Sequence, residues 1–193
     1  MGAEDYEHVE VTSVEQVRDW LAHHHAQTES VWLVTWKKKA APDKYVGYDD
    51  IVRELLCFGW IDAKVMTLDE DRSRMIIAPR RARSGWSRSN KLRVAELEAA
   101  GRIEPPGWAV IEAARDSGTW TALDEVENLT EPDDLRAALD GNAAARQHWD
   151  AFPRSAKRAI LEWLSTAKRV ETRTKRVCET VELAADNIRA HQS

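Results

Sequence analysis

Strand-like and helical hydrophobic periodicities alternate in this chain up to Ser87, and only helical periodicity follows, which limits the folds it can adopt. Before Ser87, short runs of β-branched and aromatic residues indicate strands at 31–36, 60–68 and 73–78, the last two joined by a turn at 69–71. After Ser87, every periodic segment has helical spacing. The sequence therefore predicts an α+β fold, with a small antiparallel sheet in the N-terminal half packed against a helical C-terminal half.

Capping residues and apolar spacing together predict where the helices begin and end. The predicted helices cover residues 13–25, 48–58, 87–100, 106–117, 132–139, 142–151, 153–167 and 170–189. The last helix is expected to bury an apolar stripe formed by Val170, Val177, Val181, Ala184 and Ile188.

The length of the chain, 193 residues, suits one hydrophobic core and is short for two independent domains. We expect residues 1–104 to form an α+β region that holds the sheet and a basic loop. Residues 105–193 are expected to form a helical region packed on it, so that both make one compact unit. The oligomeric state is left open by the sequence.

The composition points to a cytoplasmic protein. No apolar run approaches the length of a membrane span, and the N-terminus is acidic where a signal peptide would be basic and then apolar. Cys57 and Cys178 lie far apart and have no metal-binding spacing, which indicates free thiols in a reducing compartment.

Positive charge is concentrated in two islands, although the net charge of the chain is −5. Residues 72–95 hold eight Arg or Lys and no acid, and residues 154–176 hold eight against two acids. Within the second island Arg169, Arg173 and Arg176 form one helical stripe, which either joins the first island in a pocket or faces solvent. The islands favour a small anionic ligand or peptide as partner, whereas the acidic balance makes nucleic acid an improbable one.

The first island contains a loop that feeds a helix, and it is the main candidate for a binding site. Arg80, Arg81 and Arg83 precede helix N-terminal amides near Ser87, and guanidinium groups and such amides both favour carboxylate or phosphate. Alternatively, these arginines lie along the surface and pair with the flanking acidic segments. The candidate ligand-binding residues are Trp60, Asp62, Arg80, Arg81, Ser84, Trp86, Ser87 and Asn90.

Cys57 and Asp62 are the candidate catalytic residues, although no reaction follows from the sequence. Helical spacing places Cys57 on the side of Arg53, opposite the apolar stripe, where a thiol beside a cation could act as a nucleophile. The alternative is a small buried hydrophobic residue. Asp62 could pair with Lys64, but we favour a role in orienting an arginine of the loop that follows the hairpin.

Other motifs carry little weight. Consecutive histidines at 23–25 point about 100° apart on a helix and cannot share one metal ion. The Ser165-x-x-Lys168 string lacks its accompanying motifs, and the chain has no Gly-rich phosphate loop or dinucleotide fingerprint. We expect no metal site and no cofactor.

Several strings of the chain resemble those of the YdeI/OmpD-associated family, also described as bacteriocin-protection proteins. The resemblance spans about 31–183. It is carried by Trp32-Leu33, Lys37-Lys38, Tyr48-Asp49, Leu56-Cys57-Phe58-Gly59-Trp60-Ile61-Asp62, Pro79-Arg80, Ser84-x-Trp86-Ser87-x-x-Asn90, Ala100-Gly101-Arg102, Ala167-Lys168-Arg169 and Thr172-Arg173. What it implies is a role in protection against bacteriocins or cationic antimicrobial peptides and in envelope stress, without a catalytic mechanism that can be carried over.

Three functional hypotheses follow. The first is a soluble intracellular protein of the bacteriocin-protection type that binds a small anion at the basic loop. The second is a small enzyme that uses Cys57 or Asp62 on an anionic substrate. The third, and the weakest, is a single-stranded nucleic-acid binder with Trp86 as a stacking platform.

Overall fold

The computed structural model of this chain describes residues 5–191, which fall into two compact units. The first unit extends to Thr121 and contains the sheet, and the second begins at Ala122 and is helical. Among the described residues, no helix has both the length and the apolar character that crossing a bilayer requires.

The sheet of the first unit has the strand order β1-β2-β4-β3 in the described chain. The strands are β1 (His8–Glu10), β2 (Val31–Trp36), β3 (Trp60–Thr67) and β4 (Arg72–Pro79). β4 pairs antiparallel with both β2 and β3, and the β3–β4 register shifts between Asp62 and Val65. The three strands predicted from the sequence are therefore confirmed, together with the hairpin.

The predicted α+β class is also confirmed, but the sheet is mixed and not antiparallel throughout. β1 was not predicted, and it pairs parallel with β2. Parallel neighbours need a crossover connection, which α1 (Val14–His24) supplies. The sequence gives little sign of β1 because the strand has three residues, of which Val9 is the only apolar one.

The described part of the first unit also contains a short 3-10 helix (Pro42–Lys44) and three further α-helices: α2 (Tyr48–Cys57), α3 (Arg88–Ala99) and α4 (Pro105–Asp116). α2 is central, because it packs against α1, β3, α3 and α4. It is accordingly buried through most of its second half, where even Glu54 and Cys57 are covered.

The second unit consists of five helices within its described residues. They are α5 (Asp124–Glu127), α6 (Asp133–Asp140), α7 (Ala143–Ala151), α8 (Arg154–Ser165) and α9 (Val170–Ala185). Their own core includes Leu135, Leu139, Trp149, Leu161 and Leu164. The four-residue helix α5 was not predicted, since it is too short to show a periodicity.

The final helix begins at Val170 as predicted, but it ends earlier than predicted and its apolar stripe is exposed at both ends. α9 stops at Ala185, and Asn187 beyond it has a left-handed φ of 57°. Val177 and Ala184 are buried as predicted, but Val170 and Ile188 are 78% and 52% exposed. Val170 is the first residue of α9 and Ile188 follows its end, so neither lies where the helix packs.

The prediction of one compact unit divided near residue 104 stays a prediction. The structure shows that α4 belongs with the sheet-containing unit, where it packs against α2.

A close approach between α4 and the end of α2 fixes where α4 lies. A Cβ built on Gly107 would sit 2.8 Å from the carbonyl carbon of Cys57 and 2.9 Å from the carbonyl oxygen of Leu56. The backbone N–H of Glu104 donates to the carbonyl oxygen of Cys57 at 3.0 Å. Gly59 ends the α2 segment with a φ of +75° and faces Val110. Any side chain at position 107 would therefore push the two backbones apart.

We expect Gly107→Ala to lower the free energy of unfolding by about 1–3 kcal/mol, as overpacking usually does. Helix propensity alone would make the alanine variant more stable by about 1 kcal/mol, so a lower free energy of unfolding can be attributed to the close approach of the two backbones. Urea unfolding followed by tryptophan fluorescence measures it.

Gly118→Ala is the matched control in the same unit. Nothing lies within 4 Å of a Cβ at Gly118, and its φ of +76° limits the expected cost to strain of about 1 kcal/mol. An unchanged stability of Gly107→Ala would contradict the close approach.

Candidate functional site

The basic loop, residues 80–87, connects β4 to α3 and is held at both ends by hydrogen bonds. At its start the N–H of Arg80 donates to the carbonyl oxygen of Gly59 at 3.0 Å. At its end Ser87 is the N-cap of α3, and its Oγ accepts from the N–H of Asn90 at 3.3 Å. The middle residues 81–83 are exposed. The loop is therefore anchored at its ends and open to solvent in its middle.

Arg80 is the distinctive residue of the loop because its charged side chain is buried. It is 7% exposed, and its guanidinium carbon lies 3.8 Å from the ring centroid of Trp86. Nη2 donates to the carbonyl oxygen of Gly85. Within the described chain, Nε and Nη1 have no hydrogen-bond partner. A buried cation is thus held by one carbonyl and one aromatic face.

The energetics of this arrangement are unfavourable for the protein alone. A desolvated cation–π contact returns about 2 kcal/mol, whereas each buried donor without an acceptor costs about 1–3 kcal/mol. Burial lowers the pKa of Arg80 to about 10, and the charge of Asp62 acts in the opposite direction. Arg80 therefore remains charged at neutral pH and lacks acceptors for the N–H groups of Nε and Nη1.

A cavity of about 190 Å³ lies between the basic loop and α4. The loop contributes Arg80, Arg81, Ala82 and Trp86 to its wall. The α4 side is formed by small or branched apolar residues: Ala109, Val110, Ala113 and Ala114. Typical pockets for drug-sized ligands measure about 300–1,000 Å³, so this one suits a smaller molecule.

A larger cavity, of about 410 Å³, lies elsewhere in the first unit. Its charged lining residues are Asp5, Glu7 and Glu29, all of them acidic and exposed. Size alone does not make a site, and this cavity offers no buried charged group to hold a ligand. The cavity beside Arg80 is therefore the better candidate.

Of the eight predicted binding residues, the structure brings Arg80, Arg81 and Trp86 to the cavity. Trp60 packs against Trp20, and its Nε1 donates to the carbonyl oxygen of His25. The other four predicted residues do not line the cavity and make local hydrogen bonds.

Asp62 accepts a hydrogen bond from the Tyr48 hydroxyl at 2.8 Å. Burial and the neighbouring Asp62 raise the pKa of Tyr48 to about 12. Ser87 caps α3, and Oδ1 of Asn90 accepts from Nη1 of Arg93 at 3.0 Å. Ser84 closes a turn through its N–H to the carbonyl oxygen of Arg81. Asp62 thus influences Arg80 by its charge, without a hydrogen bond to it.

The α4 wall of the cavity was missed by the sequence reasoning. Its residues recur at i, i+1, i+4 and i+5, which is an apolar helix face, and their small size was the available signal. That α4 turns this face towards Arg80 follows from the contact at Gly107, which no local pattern reveals.

Cys57 is wholly buried, as expected for the alternative of a small buried hydrophobic residue. α2 is central to the unit and is covered on the side of Cys57 too. Burial and the charge of Glu54 raise the pKa of the Cys57 thiol, against the opposing influence of Arg18.

Next to Cys57 lies an ionic cluster that the sequence reasoning also missed. Glu54 is 1% exposed, and its two carboxylate oxygens accept from Nη1 of Arg18, at 2.9 Å, and from Nη2 of Arg102. Arg18 also donates to Glu104. Each carboxylate oxygen of Glu54 has a cationic donor, so the cluster is a satisfied structural unit.

In the second unit, two arginines of the predicted stripe are occupied by local partners. Arg173 makes a two-point ion pair with Asp134 at 2.7 and 2.8 Å. Arg176 donates to the carbonyl oxygen of Trp163 and to the Thr166 hydroxyl. They therefore stabilise the unit that contains them.

The burial of Cys57 predicts that its thiol is unreactive in the folded protein. At pH 7 a thiol-specific reagent is expected to label one cysteine quickly, the exposed Cys178, because a raised pKa and burial keep Cys57 protonated and covered.

Cys178→Ser provides the control, since this variant is expected to react only after denaturation. Fast labelling of native Cys178→Ser would restore the nucleophile hypothesis.

The ionic cluster predicts a large stability effect at Glu54. Glu54→Ala is expected to cost about 3 kcal/mol, because it removes a buried ion-pair partner, measured by urea unfolding. Glu96→Ala is the control, as Glu96 pairs with Arg53 but its side chain is 62% exposed. That loss is expected to stay below about 1 kcal/mol. Equal losses of stability in the two variants would show that the buried cluster stabilises the protein no more than an exposed ion pair does.

Comparison with protein families gives two matches, one within each compact unit. Residues 9–110 match a domain of unknown function (DUF8412), and residues 128–187 match the family described as bacteriocin-protection, YdeI or OmpD-associated. Comparisons with curated proteins and with solved structures give no significant match.

The resemblance seen in the sequence is confirmed over residues 128–187. The strings at 56–62 and 79–90 lie instead within the stretch matched by the domain of unknown function. The chain therefore belongs to the DUF8412 family, and its C-terminal part is similar to the bacteriocin-protection, YdeI or OmpD-associated family over residues 128–187.

Proposed function

We propose that this chain is a cytoplasmic protein of the bacteriocin-protection, YdeI-like type that binds a small anion in the cavity beside Arg80. The family match over 128–187 supports the general role. The free cysteines Cys57 and Cys178 suit a reducing compartment.

The observation that carries the proposal is the state of Arg80. Its side chain is buried and charged, it lines a cavity, and its Nε and Nη1 have no protein acceptor in the described chain. An anion in the cavity supplies those acceptors and neutralises the charge, and charge-assisted hydrogen bonds are the stronger kind. Ligand binding thus removes the free-energy cost of the unpaired buried N–H groups of Arg80.

Access to Arg80 involves the basic loop. Nε and Nη1 are closed to water. Arg81 and Ala82, which also line the cavity, belong to the exposed part of the loop. Anion binding therefore requires that part of the loop to shift and uncover the N–H groups of Arg80.

The competing functions have weaker support. A nucleophilic enzyme needs a reactive thiolate, and Cys57 is buried with a raised pKa. A single-stranded nucleic-acid binder needs an open aromatic face, and Trp86 is 1% exposed, with Arg80 over its ring.

Arg80→Met tests the proposal through two opposite effects. Without ligand, the variant is expected to be more stable than the wild type by about 1 kcal/mol, because an unsatisfied buried charge is replaced by an apolar side chain. Binding of acetate or inorganic phosphate is expected to weaken at least tenfold, since a charged hydrogen bond is worth about 1.5–3 kcal/mol. Thermal unfolding and calorimetric titration measure both.

Arg74→Met is the matched control. Arg74 also lies over a tryptophan, 4.3 Å from the ring centroid of Trp32, and it also has a buried Nε without a partner. It does not line the cavity beside Arg80. Its substitution should leave binding unchanged, and an equal loss in both variants would overturn the proposal.

A further inference from the structure

We infer that the ligand of the Arg80 cavity is a short aliphatic monocarboxylate of about four to six carbons. The inference rests on the proposed function, because it takes anion binding at Arg80 as given and names the class of anion. It follows from the charge, the lining and the volume of the cavity.

The charge of the cavity favours a single negative charge on the ligand. Arg80 is its one buried cation, and Arg81, the other cation of the lining, is exposed to water. An exposed guanidinium is solvated and contributes little to holding an anion. A monoanion therefore neutralises the buried charge, whereas a dianion would carry an unpaired second charge into the cavity.

The lining determines the rest of the ligand. Apart from the two arginines, the wall consists of Ala82 and Trp86 and of the apolar face of α4 at 109, 110, 113 and 114. No lining side chain is a hydroxyl or an amide. Sugar hydroxyls and the further oxygens of a phosphate ester would lose their hydrogen bonds to water here, while an alkyl chain would gain from burial.

The volume sets the length of the alkyl chain. At roughly 30 Å³ for each small non-hydrogen group, the value for water in the liquid, about 190 Å³ holds about six such groups. The carboxylate takes three of these groups, which leaves room for three alkyl carbons, as in butyrate. One or two further carbons fit if the end of the chain emerges at the open side of the cavity, as in hexanoate.

Calorimetric titration of the full chain with acetate, butyrate, hexanoate and octanoate tests the inference, with inorganic phosphate as the comparison anion. Each added methylene is expected to tighten binding about fourfold, from ~0.8 kcal/mol per buried methylene, until the cavity is full near hexanoate. Octanoate should gain little more, and phosphate should bind more weakly than butyrate.

Ala113→Leu provides an internal test of the cavity. Ala113 lines the cavity and is exposed, so a larger side chain fits there without disturbing the core. It should shorten the optimum from hexanoate towards acetate. The control, Ala95→Leu, adds the same group at an exposed position of α3 and should leave the series unchanged.

The outcomes separate the inference from the proposed function. If phosphate binds as tightly as butyrate and Arg80→Met abolishes both, the anion site stands and the monocarboxylate inference is wrong. If the carboxylates bind equally well to Arg80→Met, the site itself is wrong. If the affinity does not change with chain length, or if Ala113→Leu does not change the series, only the monocarboxylate inference is wrong. If no anion binds, both the inference and the proposed function are wrong.

Discussion

The backbone contact between Gly107 and the end of α2 determines how the first unit is arranged. It places α4 against Cys57 and Leu56, and the N–H of Glu104 is bonded there as well. From this contact α4 extends along the basic loop, so its apolar face becomes the wall opposite Arg80. Without a glycine at 107 the two backbones would stand further apart, and the cavity would have a different shape.

Two buried charged residues in this unit differ in how they are satisfied. Glu54 has a cationic donor for each carboxylate oxygen, from Arg18 and Arg102. Arg80 has one carbonyl acceptor and an aromatic face, and its other two nitrogens lack acceptors within the described chain. A buried charge whose partners all belong to the protein needs no ligand to account for it. An unsatisfied one costs stability, and a bound ligand is the simplest physical reason for keeping it.

The two family matches coincide with the two compact units. The match to the domain of unknown function lies in the unit with the sheet and the Arg80 cavity, and the bacteriocin-protection match lies in the helical unit. The family description and the candidate site therefore belong to different parts of the chain. In the helical unit, Arg173 and Arg176 of the second basic island have partners within the same unit.

The sequence by itself determined most of the helices and strands, though not β1 or α5, and it determined the position of the loop. Local signals sufficed for these: β-branched runs for β2 to β4, Ser87 and Asn142 as helix caps, and a glycine after α2. It also selected Arg80 and Trp86 as candidate binding residues, because the short loop that contains them is rich in arginine and has no acidic residue. Only the tertiary structure decided that Arg80 is buried and Cys57 covered, that β1 joins parallel, and that α4 completes the cavity. Those outcomes depend on contacts between residues far apart in the chain, and neither spacing nor composition records which surfaces meet.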